Sequence, residues 1–135
     1  MNVRDFECRS YRQAMELLRG NDQYADRDRR TVCNNTTIED YSGLRWGVRT
    51  FAVRLHNHII IRFSEDGEVV VDSCGYRTAT TKDRINRCLP KPWRVCQTKG
   101  VWVLWKRNDV DLIEEVPFVD GMTVPETGDG LRSTD

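Results

Sequence analysis

No apolar run in the 135 residues approaches the roughly 18 that would span a bilayer, so a transmembrane helix is excluded. The opening stretch MNVRDFECRS is charged where a secretory leader needs an apolar segment, and the protein is expected to stay in the cytoplasm. Cysteine is scarce and odd in number. Cys8, Cys33, Cys74, Cys88 and Cys96 leave one thiol over in any complete pairing, and none forms a CxxC pair. That argues against a disulfide scaffold and reads as free thiols used as small hydrophobes in a reducing compartment. Histidine occurs twice, at His56 and His58, which leaves few candidates for a general base at neutral pH. A GxxxxGK(S/T) phosphate loop, a nucleophile elbow, a Ser-His-Asp order and a pair of catalytic carboxylates are all missing. Binding is therefore expected over catalysis, with no catalytic residue and no cofactor assigned.

With 39% hydrophobic and 31% charged residues, the chain is long enough for one core and too short for two. Its 21 basic and 21 acidic residues cancel but are segregated. Residues 1–35 carry a net +1, 36–73 a net -2, 74–107 a net +8 and 108–135 a net -7. A neutral whole thus hides a cationic segment followed by an acidic one. Arginine outnumbers lysine 17 to 4, which suits planar, bidentate contact with phosphate.

Ser10 followed by YRQAMELLRG, with Tyr11, Ala14, Met15 and Leu18 at helical spacing, predicts a helix from about Val3 or Ser10 to Arg19, stopped by Gly20. NDQYADRDRR reads as a surface loop closed by Asn34-Asn35. From Thr36 to Ser73 the pattern is β: TTIEDY, then Leu44 to Leu55, then HIIIRF and EVVVDS. His56-Asn57 and Asp66-Gly67 supply the tight turns. TATTKDRINRCLP predicts a short helix capped through Thr80 and Asp83 and ended by Pro90 and Pro92, with Ile85, Cys88 and Leu89 inward and Lys82, Arg84 and Arg87 outward. WRVCQT and VWVLWK pair through Lys99-Gly100, and DLIEEVPFV, interrupted by Pro117, reads as an edge strand. The expected fold is α+β: an N-terminal helix, an antiparallel meander sheet, a short helix and a second β-hairpin. Residues 1–124 form one domain and 125–135 a disordered tail.

NNTTIED, AVRLHNHIIIRFSEDGEVVVDSCGYRTATTKDRIN, GVWVLW and PFVDGM, in that order, resemble a family of small proteins encoded by tailed phages. GYRTATTKDRIN, from Gly75 to Asn86, is the most distinctive part. The resemblance runs from Asn35 to Trp105 and departs at Ser73-Cys74-Gly75-Tyr76, where Gly-Gly-Trp is commoner. It implies a phage origin and a host-cell cytoplasmic location, and it brings no assigned activity and no catalytic residues.

The cationic segment carries the functional expectation. Arg77, Lys82, Arg84, Arg87, Lys91, Arg94, Lys99 and Lys106 could neutralise phosphates, and the interleaved Trp93, with Tyr76, Trp102 and Trp105, could stack on unpaired bases. Against this, an indole on a β-strand is commonly core, and charges on a hairpin's outer side are commonly just solvated. The hydroxyls of RTATT, Arg77 to Thr81, could hold a phosphate beside the helix start, or simply cap it through Thr80 or Thr81. Asn86, if buried, would tie down backbone. His56 and His58 could ligate a metal with Asp72 in a metal-dependent enzyme, but a turn explains the tripeptide with less, and no metal is assigned. The acidic C-terminal stretch could mimic nucleic-acid phosphate or serve only as a solvated terminus. The expected function is a small phage accessory protein that binds nucleic acid or a host nucleic-acid-handling or defence protein, away from any membrane. The alternative is a homo-oligomeric or protein-interaction module built on the Trp93–Trp105 hairpin.

Overall fold

A computed structural model describes residues 2–20, 28–42, 48–107 and 110–128. A short 3-10 turn at Val3–Asp5 leads to Ser10, whose hydroxyl accepts from the Gln13 N–H at 3.1 Å and satisfies one of the orphan donors of helix α1 (Tyr11–Arg19). Ala14 and Leu18 are buried, and Gly20 ends the helix at a φ of 65° that a side chain would resist. Nine strands are found among the described residues. β1 (Arg29–Cys33), β2 (Thr36–Asp40), β3 (Thr50–Leu55), β4 (His58–Ser64) and β5 (Glu68–Val71) run as an antiparallel meander. After helix α2 (Ala79–Asn86) come β6 (Trp93–Thr98), β7 (Val101–Arg107) and β8 (Leu112–Pro117), which form a separate three-stranded antiparallel sheet. β9 (Met122–Pro125) then returns to pair with β5 and completes a six-stranded sheet. The α+β class, the N-terminal helix and the hairpins are as the sequence predicts.

Register assigns the faces. Ile38, Val53, Ile61 and Val71 are successive cross-strand partners, as are Phe51, Phe63, Val69 and Val124, so these two rows project from one face of the large sheet. All eight are fully buried. Helix α1 lies on that face, with the Tyr11 ring 5.2 Å from that of Phe51. Ile85 of α2, the following Cys88 and Leu89, and Trp93, Val95, Trp102 and Leu104 of the small sheet join the same continuous core. The opposite face carries the row Glu39, Ala52, Arg62 and Val70, where Glu39 is held by Arg29 at 3.0 Å and Arg54 at 2.6 Å.

The turns at His56-Asn57, Asp66-Gly67 and Lys99-Gly100 fall where expected, with positive φ at His56, Gly67, Lys99 and Gly100. Four expectations are corrected. Arg29 to Cys33, read as loop, form β1, because pairing with β2 overrides a sequence with no alternation; Asn34-Asn35 is the turn between them. β3 begins at Thr50, later than the predicted Leu44; residues 44–47 lie outside the described residues. The cap of α2 is Thr78, whose hydroxyl accepts from the Thr81 N–H at 3.1 Å, two residues earlier than the expected Thr80 with Asp83. Finally, the chain is tied down past residue 124. Pro125 pairs opposite Glu68, Glu126 accepts from the Tyr11 N–H at 3.3 Å, and Gly128 backs onto Lys91 so closely that a Cβ would sit 2.0 Å from its carbonyl oxygen. Residues 129–135 of the predicted tail lie outside the described residues.

Candidate functional site

Helix α2 is short, and its two sides divide the cationic segment. Arg84 turns inward: only 6% exposed, it donates to the Thr36 hydroxyl at 3.0 Å and to the Asn34 carbonyl at 3.4 Å, and it pairs with Asp83. The expectation of an outward Arg84 is thus corrected, because at this position the helix faces the start of β2, where the guanidinium meets the Thr36 hydroxyl and the Asn34 carbonyl. Ile85, Cys88 and Leu89 face the core as predicted. On the other side, Lys82, Arg87 and Arg94 converge with Arg9 around a shallow depression floored by Ala79 and Asn86.

These four cations are not equivalent. The Arg9 guanidinium donates to the Asn86 and Leu89 carbonyls at 3.0 and 2.6 Å, closing the C-terminal end of α2, and pairs with Glu7. Arg87 pairs with Asp83 at 3.0 Å and reaches the carbonyls of Arg4 and Phe6. Both are therefore fixed in place. The side chains of Lys82 and Arg94 make no hydrogen bond or ion pair among the described residues and are the two of the four left to meet a ligand. Asp83 is the single carboxylate in the depression; burial alone would raise it, but hydrogen bonds from Arg87 and Arg84 outweigh that and hold it below its ordinary value. It remains charged and occupied by two arginines. Glu7, beside the depression, is likewise held low by its bond from Arg9, with Lys91 3.8 Å away on the exposed rim.

The remaining predicted residues lie apart. Arg77 is beyond the opposite end of α2, its guanidinium over the Trp102 and Phe118 rings at 5.6 and 5.3 Å and 3.9 Å from Asp120. Lys99 sits at the tip of the β6–β7 hairpin, and the Lys106 ammonium lies 5.9 Å from the centre of the buried Trp93 ring. Trp93, at 2% exposure, is core and offers no stacking face, and Trp102 at 3% is core as well. They alternate with Arg94, Val103 and Trp105, which project outward, so the strand period decides which ring is lost to the interior.

A protein-family model described as Kyanoviridae Gp96 protein matches residues 11–125. The chain belongs to this phage protein family. Searches of curated proteins and of solved structures found no match. The Gp96 match runs from α1 through β9 and so contains Lys82, Asp83, Arg87 and Arg94, while Arg9 precedes it. No described helix is long and apolar enough to cross a membrane.

A second depression in this Gp96 chain lies between the β3–β4 turn and the start of α2, lined by His56, His58, Tyr76 and the hydroxyls of Thr78, Thr80 and Thr81 over Leu55 and Ile60. The His58 ring stacks on Tyr76 with centroids 4.3 Å apart. Among the described residues no group of three or more His, Cys, Asp and Glu side chains could hold a metal ion. Of the RTATT hydroxyls, that of Thr78 caps α2 and is bonded to that of Thr81 at 3.0 Å. Asn86 does tie down backbone, accepting from the Val95 N–H at 2.7 Å and donating to its carbonyl at 3.0 Å. Arg9 had no signal in the sequence, since it lies more than seventy residues from the segment it joins and is recruited by the open carbonyls of α2.

Proposed function

We propose that this phage protein is an accessory protein that acts by binding nucleic acid through the depression formed by Arg9, Lys82, Arg87 and Arg94. The observation that carries the reading is that two unspent cations, Lys82 and Arg94, stand beside two fixed ones, with Asp83 the one carboxylate among the described lining residues and Glu7 held by Arg9 at its edge. A polyanion entering there gains phosphate contacts and releases counterions without breaking any internal bond. Labelled single- and double-stranded DNA and RNA, titrated by fluorescence anisotropy at about 50 mM salt, test it. Binding that weakens linearly with the logarithm of salt, and that falls at least tenfold in the Lys82→Glu/Arg94→Glu double variant, is expected. No binding to any of the four ligands refutes it.

A second reading, an oligomeric or protein-interaction module, is favoured by Leu112 and Ile113, which are 46% and 55% exposed on the outer strand β8. Sedimentation velocity across a concentration series decides it: a monomer throughout removes self-association.

A further inference from the structure

The outer face of the small sheet carries an apolar strip, Trp105, Val103 and Val101, that adjoins the cationic depression through Arg94. Arg94 and Trp105 are cross-strand partners in β6 and β7, so the guanidinium that borders the depression and the one half-exposed indole of this sheet project side by side. The next pair along the same face is Cys96 and Val103, both half-exposed, and then Val101, 58% exposed. Such a face on a small domain needs an occupant that is apolar and flat on one side and anionic on the other.

Charge across the sheet then fixes its orientation. The β6 side is cationic, with Arg94 and, beyond it, Lys82. The β8 side of this face is acidic: Trp105 is paired with Glu115, to which its indole N–H donates. Arg107 holds its guanidinium 5.6 Å from the centroid of the Trp105 ring, a cation–π contact that a base stacking on that side displaces. A duplex offers phosphates but keeps its base faces stacked inside, and so would leave Trp105, Val103 and Val101 uncovered. Resting on the nucleic-acid reading above, we infer that the ligand is a single strand, its phosphates along Lys82 and Arg94 and its bases laid across β6 and β7 with one stacked on Trp105.

The test compares a 12-nucleotide single strand, the same strand with abasic positions, and a hairpin duplex, all by anisotropy at low salt. The intact single strand is expected to bind at least tenfold more tightly than the duplex. Trp105→Ala and the abasic strand should each lose roughly fivefold or more, while Trp105→Phe keeps most of the affinity. Because Trp105→Ala could disturb the sheet, the abasic strand on unaltered protein gives the same readout independently. Equal binding of duplex and single strand, or of abasic and intact strands, overturns the inference but leaves the cationic site standing; no binding to any ligand overturns both.

Discussion

Replacing Arg84 by alanine separates a structural arginine from a binding one. The side chain is 6% exposed and its guanidinium donates to the Thr36 hydroxyl at 3.0 Å and to the Asn34 carbonyl at 3.4 Å, a carbonyl that the Thr36 hydroxyl also reaches at 2.9 Å. A bond from a charged donor contributes about 1.5–3 kcal/mol when buried, and the longer contact to Asn34 is worth less. The pair with Asp83 adds little, since that carboxylate is 42% exposed and keeps Arg87 as a partner. Together with lost packing of the stem, Arg84→Ala should cost about 3 kcal/mol, which for a domain of this size lowers Tm by roughly 10 °C. Thermal melts followed by circular dichroism, with urea midpoints as a second measure, read this directly. Lys82→Ala, on the outer side of the same helix, should stay within about 0.5 kcal/mol of the parent while weakening nucleic-acid binding. If Arg84→Ala melts with the parent and loses binding, the inward placement of this guanidinium is wrong.

Asn86→Ala leaves the N–H and C=O of Val95, a residue 1% exposed, without partners, and should destabilise by about 2–4 kcal/mol in urea titration. Asp83, Glu7 and Asp40 are all held below their ordinary values. Their contribution to stability is therefore complete above the unfolded carboxylate range, near pH 4, and is lost as pH falls through the lower folded values. Melts at decreasing pH should show Tm falling below about pH 4, with a smaller fall in Asp83→Asn. Burial pushes the Cys8 thiol up to about 12 and Cys88 well above its ordinary value. Iodoacetamide at neutral pH should therefore modify half-exposed Cys96 first and half-exposed Cys74 more slowly, since burial and Asp72 push the Cys74 thiol up and it donates to the Ile59 carbonyl, and should reach Cys8, Cys33 and Cys88 only after unfolding, as peptide mass mapping can show.

Elements with strong local signals were legible in the sequence. Ser10 and Gly20 mark both ends of α1, and the two glycine-containing hairpins and the His56-Asn57 turn fix the register of the strands they join. What escaped was decided by partners distant in the chain. Arg29–Cys33 and Met122–Pro125 carry no strand pattern of their own and become strands because β2 and β5 present open edges to them. The cationic segment was found, but its division was not: a charge count treats Arg84 and Arg94 alike, whereas the phase of an eight-residue helix sends one inward and a strand's period sends the other out. Arg9 and Trp105 show the same limit, since their importance depends on neighbours that only the folded chain supplies.

The bond pair between the Asn86 amide and Val95 has a consequence for growth of the small sheet. A side-chain amide offering one donor and one acceptor occupies the outward-facing main-chain groups of Val95 in β6 as an adjoining strand would, and so blocks the ladder at the middle of that margin. Any foreign strand that joins this sheet must enter along Leu112–Pro117, where Pro117 shortens the ladder it can form.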